Sequence, residues 1–242
     1  MNSLYTIRNP IQSPARMKLP DHFLRYFLIA TIILLSGIIF VIIQTAITHP
    51  GVIPLNATAL QARADYHSTT VMPFMAKVFP RLLFLNAGVA LFILIVPLFW
   101  VWVWWFRRDL LDTMILLMQG TVCLLMGALG HNSFIKIYDT YRQLSLEMIT
   151  TMYLPHGGLE MLAFILAGTS AFLCIDALMG YLQENGNSHT LHPGDVCLFI
   201  LGRAWKPGLV IFFMMAIAAA IECWVTPVLV KSAFDAALLA IA

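Results

Sequence analysis

The chain has 242 residues, of which 60% are hydrophobic and only 11% charged, and its mean hydropathy is +0.85. Soluble domains carry about 25% charged residues, so this composition excludes the soluble classes and defines an all-α, polytopic transmembrane helical bundle whose first partner is the lipid bilayer. A net charge of +2, without a basic patch interleaved with aromatics, excludes a nucleic-acid partner.

Residues 1–23 are polar, carry Arg8, Arg16 and Lys18 and include three prolines, which predicts an N-terminal arm on one membrane face without a fold of its own. Residues 24–46 are an apolar run long enough for the roughly 20 helical residues a bilayer core requires. The run is too long for the core of a signal peptide, so it reads as a retained first span. Residues 47–80 read as an outer loop of mixed polarity, in which Pro50, Pro54, Pro73 and Pro80 are expected to break any long helix. Within it Asn56-Ala57-Thr58 fits the glycosylation acceptor pattern, a three-residue match common by chance.

A second span over 82–105 ends in Trp100, Trp102, Trp104 and Trp105, an aromatic belt, with Arg107 and Arg108 in the water beyond. Asn86 lies inside it near the opposite end. The third span, 110–130, is interrupted by Gln119, Gly120, Gly127 and Gly130, a composition that suits helix contact better than lipid and predicts a place inside the bundle. Residues 131–153 set Phe134, Tyr138, Tyr141, Leu144, Met148 and Met152 at helical spacing opposite Lys136, Asp139, Arg142 and Glu147. That pattern predicts an amphipathic interfacial helix.

The fourth span, 155–180, opens on Pro155 and carries Ala163, Ala167 and Ala171 at every fourth position, a stripe for a close helical neighbour. Residues 181–207 read as a loop with a short surface helix, 208–230 as a fifth span interrupted by Glu222, and 231–242 as a short tail. Cys123, Cys174, Cys197 and Cys223 lack metal-type spacing and read as small buried apolar residues. With five spans the termini face opposite sides. An inward N-terminus places Arg8, Arg16, Lys18, Arg25, Arg107, Arg108, Arg203 and Lys206 in the cytoplasm, against Arg63, Lys77, Arg81, Lys136, Arg142 and Lys231 outside, the sign of the positive-inside rule.

In either orientation the start of span four and the end of span five share a face. His156 and Glu160 lie one helical turn apart behind Pro155, which suits a first turn. At a rise of about 1.5 Å per residue, Glu160 and Glu222 lie roughly 9 and 12 Å deep, so His156, Glu160 and Glu222 are expected to converge. A carboxylate at that depth costs about 2.5 kcal/mol or more unless it is paired, wet or neutral. The two carboxyls should therefore hold a proton or share His156 between them.

Four uses of such a group are open. It can be a structural clasp between spans four and five. As a metal site it is poor, with one histidine and no H-E-x-x-H spacing. As a proton or ion relay it is continued toward the other face only by Asp176. As a hydrolytic site it has Cys223 and Thr226 nearby but no second base. No catalytic residue, metal ligand or cofactor is assigned on these grounds.

Pro155-His156-Gly157-Gly158-Leu159-Glu160 and the later Glu222-Cys223-Trp224-Val225-Thr226-Pro227 resemble, in order and separation, the Pro-His-Gly-x-x-Glu and Glu-x-x-x-Thr-Pro signatures of the stage II sporulation protein M family. Leu85-Asn86 is similar to that family's Asn-Asn pair, with Ala87 in place of the second asparagine. The likeness spans residues 80–230 and marks Pro155, His156, Gly157, Glu160, Glu222, Thr226, Pro227 and Asn86 as motif positions. It implies an integral protein of a bacterial or archaeal cytoplasmic membrane.

Within that family the resemblance implies a scaffold in cell-wall remodelling, or a component of circular-bacteriocin immunity, maturation or export beside an ATP-binding-cassette ATPase. Three functions are therefore weighed. One is a non-catalytic subunit assembling, as an oligomer or with other membrane or envelope proteins. A second is an intramembrane peptide-processing or maturation subunit using His156, Glu160 and Glu222. The third is the permease component of an ATP-binding-cassette exporter of a hydrophobic peptide. The chain has no Walker motif, G-x-S-x-G or H-E-x-x-H, so an energy source would lie on another chain.

Overall fold

The computed structural model describes residues 19–48, 56–106, 111–141, 146–185 and 192–240. In lipid every backbone N–H and C=O must be satisfied within its own segment, which leaves these apolar runs only the helix. The described chain forms α1 (Leu19–Thr48), α2 (Ala57–Tyr66), a π-helical turn (His67–Val71), α3 (Met72–Phe106), α4 (Leu111–Tyr141), α5 (Leu146–Asn185), α6 (Pro193–Ala220), a second π-helical turn (Ile221–Val225) and α7 (Thr226–Leu239). Five stretches, His22–Gln44, Ala57–Val103, Asp112–His131, Thr150–Asn185 and Pro193–Leu239, are long and apolar enough to cross a membrane. The protein is an all-α helical bundle built to be embedded in one.

The bundle is organised around α5, whose apolar window is 67% buried against 22% for that of α1 and 33% for the others. It touches α1, α3, α4, α6 and α7. Ala163, Ala167 and Ala171 are fully buried, so the small-residue stripe lets the neighbours approach as expected. The expectation that span three lies inside the bundle is corrected. Leu116, Gly120 and Leu124 of α4 face outward, because its glycines serve one edge and not the whole circumference. That edge packs on α1: a Cβ at Gly130 would fall on the carbonyl oxygen of Leu34, and one at Gly37 on that of Gly127.

Gly168 of α5 is a milder case. A Cβ there would meet the Met126 sulfur at 3.1 Å, and an unbranched thioether can shift. Gly168→Ala is expected to cost less than about 1.5 kcal/mol in thermal unfolding of the purified protein. A larger loss would mean that Met126 is held rigidly.

The helices overrun the spans expected from hydropathy. α1 begins at Leu19, inside the expected N-terminal arm, of which residues 1–18 lie outside the described residues. The outer loop over 47–80 is corrected to α2, a π-helical turn and the start of α3. Pro50 and Pro54 lie outside the described residues. Pro73 stands at the second position of α3 and Pro80 inside it.

A proline lacks one N–H and its ring crowds the carbonyl four residues back. Before Pro73 the chain opens a wider turn, closed by the Met72 N–H on the His67 carbonyl. The same device precedes Pro227, where the Thr226 N–H bonds the Ile221 carbonyl. Asn56 of the acceptor-like triplet caps α2, its Oδ1 accepting from the Ala59 N–H at 2.8 Å, a common role for asparagine at a helix start.

Residues 131–153 are not a separate amphipathic helix. Residues 131–141 finish α4 and those from Leu146 begin α5, while 142–145 lie outside the described residues and only backbone is described for 132–141 and 146–149. Pro155 therefore sits within α5, two turns past its start. Over 181–207 the loop-and-surface-helix expectation also gives way: α5 runs to Asn185, and α6 starts at Pro193 and passes through Pro207. At 40 residues, α5 is about 60 Å long, twice a bilayer core of about 30 Å, so its ends project into the interfaces.

The expected C-terminal tail belongs to α7, where Val230 and Phe234 form a satellite core with Leu60 and Met152. In the aromatic belt Trp102 faces outward, whereas Trp100 and Trp105 pack against the main core. Only the backbone of Trp104 is described, and Arg107 and Arg108 lie outside the described residues.

Candidate functional site

The two prolines that follow π-helical turns shape one site. Widened turns of this kind are frequent at functional positions, and both of these contribute to the lining of one cavity of about 470 Å³. The first turn contributes His67 and Val71, the second Glu222. His156 of α5, Thr226 and Pro227 of α7, and Arg63 and Tyr66 of α2 also line it.

His156 is 6% exposed, and its Nδ1 lies 3.1 Å from Thr226 Oγ1. Donor and acceptor roles follow the tautomer, so this is one hydrogen bond between α5 and α7 in either sense. The Tyr153 ring stands 5.8 Å away, tilted by 40°. One turn further along α5, Glu160 Oε1 accepts a hydrogen bond from Asn86 Nδ2 of α3. Glu222 is within electrostatic reach of Glu160. It has no hydrogen-bond or ion-pair partner among the described residues.

The three residues expected to converge do share one region, but not as one clasp. His156 does not bridge the carboxyls; it is held by a hydroxyl from the Thr-Pro element. Glu160 is tied toward α3 by Asn86, and Glu222 is left at the cavity wall. Thr226 and Pro227 are both buried there. A Cβ at Gly157 would meet nothing within 4 Å, so close packing does not demand a glycine at that motif position.

His67 was not legible as a site residue, since its segment read as a loop. Its Nδ1 is buried without a hydrogen-bond partner, and its ring lies 6.0 Å from that of Phe234. The available signal was a histidine six residues before a proline, the counterpart of Glu222 five residues before Pro227.

Asp176 does not extend the site. It lies sixteen residues beyond Glu160 on α5, about 24 Å along the axis. Its Oδ2 is 3.3 Å from Nδ1 of His22 on α1, an ion-pair distance without hydrogen-bond alignment. Among the described residues no three His, Cys, Asp or Glu side chains are grouped to hold a metal ion.

Fold and site together define a membrane-embedded helical bundle with polar interhelical ties opening on a mixed apolar and ionisable cavity. Compared with family models, with curated proteins and with solved structures, the chain matches none.

Proposed function

We propose that this protein is a non-catalytic membrane subunit that assembles with other membrane or envelope proteins, its N-terminus on the cytoplasmic side of a bacterial or archaeal membrane. The observation that carries this reading is that two of the three site residues are engaged in ties between helices, His156 with Thr226 and Glu160 with Asn86. Groups bound to neighbouring helices fix the shape of a surface, here the cavity wall that His156 and Thr226 help to line. The motif resemblance to the stage II sporulation protein M family supports the same reading, as does the large exposed apolar area of α1, including Leu28, Ile32, Phe40 and Ile47. Lipid or a neighbouring span would cover that face.

Glu160→Gln and Glu222→Gln, introduced on the native locus, are expected to lower recovery of partner proteins from native membranes several-fold, as read by quantitative mass spectrometry of the tagged chain. Unchanged recovery in the double variant would sink this reading.

A second reading, an intramembrane peptide-processing subunit, is favoured by one contact. An imidazole nitrogen 3.1 Å from a threonine hydroxyl is the pairing that activates a hydroxyl nucleophile. Under that reading Thr226→Val leaves assembly intact and stops precursor processing; under the subunit reading processing is unaffected.

A further inference from the structure

We propose that the cavity between the two π-helical turns binds a primary ammonium group carried on a single apolar chain. This deepens the partner-binding reading above and rests on it for the biological source of the ligand, though not for the binding itself.

The volume of about 470 Å³ falls within the roughly 300–1,000 Å³ of small-molecule sites. That volume suits one chain and its head group. The wall includes side chains that favour such a chain: Met75, Met152, Phe234, Tyr66 and Tyr153. Aromatic side chains are also the ones whose ring faces attract a cation.

The polar groups decide the head group. His156 is taken by Thr226, and Arg63 and Tyr153 are engaged within the protein. Among the described residues the Glu222 carboxylate has no partner, nor does the buried Nδ1 of His67. The wall group left open to a ligand is therefore an acceptor, the Glu222 carboxylate. A primary ammonium has three donors and no acceptor, so its N–H groups match the unpartnered carboxylate.

Other head groups fit less well. A carboxylate or phosphate meets Glu222 and finds Arg63 already engaged. A quaternary ammonium keeps the charge but brings no N–H donor for the Glu222 carboxylate. A metal ion lacks a three-ligand group among the described residues. The matching chemistry occurs in a free long-chain amine and in the N-terminal amine or a lysine of an apolar peptide.

The test uses the full chain in phosphatidylcholine nanodiscs, whose lipid has no primary amine, with empty nanodiscs as the blank. Isothermal titration compares n-octylamine, octyltrimethylammonium, n-octanol and octanoate. Octylamine is expected to bind at least tenfold more tightly than the other three. Glu222→Gln should remove that preference while octanol binding persists, and Val71→Trp, which fills the cavity, should weaken all four.

Equal affinity for octylamine and octanol, or a preference that survives Glu222→Gln, would overturn the proposal. The wild-type comparison decides the matter even where a variant does not fold. An apolar hexapeptide with a free N-terminus, displaced by octylamine and inactive when acetylated, assigns the source to peptides. Octylamine binding without peptide binding assigns it to free amines. No amine selectivity in the wild type, with partner recovery lowered by the glutamate variants, sinks the ligand alone; wild-type selectivity with recovery unaffected by those variants sinks the subunit reading alone.

Discussion

Gly37→Val and Gly130→Val are each expected to destabilise the purified bundle by about 1–3 kcal/mol or more, while Gly120→Ala stays within about 0.5 kcal/mol of wild type. α1 and α4 cross with backbone against backbone. A Cβ at Gly37 would lie on the Gly127 carbonyl oxygen and 3.0 Å from the His131 amide nitrogen, and a Cβ at Gly130 on the Leu34 carbonyl oxygen. None of these is the end of a flexible side chain, so the helices themselves must move apart. Between apolar helices in lipid, association depends on such close approach because no hydrophobic gain drives it.

Gly120 has no neighbour within 4 Å, which makes it the matched control on the same helix. Thermal unfolding followed by tryptophan fluorescence, in one detergent for all variants, reads the difference. If Gly37→Val and Gly120→Ala unfold alike, the crossing is not a determinant of stability. The same variants should leave amine binding in surviving protein unchanged, since α1 and α4 do not line the cavity.

Helix class and number were readable because they follow from run length and composition, quantities that lipid converts directly into structure. The central place of α5 was readable in part, through Ala163, Ala167 and Ala171. The place of α4 was not. Gly120, Gly127 and Gly130 look alike in sequence, but one faces outward, one supplies a carbonyl and one meets a carbonyl. Which of these a glycine does depends on where the partner helix crosses.

Helix ends were misread for a related reason. Pro73 and Pro80 were weighed as breakers and Pro155 as a start, whereas a long apolar helix keeps its remaining backbone bonds and bends or widens around one missing donor. Reading 47–80 as a loop then hid His67, because a histidine in a loop carries no constraint, while one in a π-helical turn over a cavity does. His156, Glu160 and Glu222 were legible because ionisable groups inside apolar segments are costly and need a reason. Their separate partners were not, since pairing needs relative rotation of α3, α5 and α7, which periodicity leaves free.

Asn86→Leu is expected to destabilise the bundle more than the double replacement Asn86→Leu with Glu160→Leu. The Asn86 amide donates to Glu160 Oε1 across α3 and α5, and Glu222 is near enough to act on Glu160 electrostatically. Removing the amide leaves a half-buried carboxyl facing another carboxyl without its donor, a loss of about 1–3 kcal/mol and more for a charged group. Removing both groups leaves two leucines between helices, which lipid-exposed bundles accommodate.

A full cycle with Glu160→Leu alone isolates the coupling. Interhelical hydrogen bonds in membranes average about 0.6 kcal/mol with a maximum near 1.7, so a coupling above that range marks a bond to a charged carboxylate, and one within it a bond to a neutral acid. No coupling at all would mean that Asn86 and Glu160 do not tie α3 to α5, and the subunit reading would lose the observation it rests on. A double variant that is stable but fails to recover partner proteins separates the two roles of Glu160: what it does for the fold can be replaced by packing, and what it does for the surface cannot.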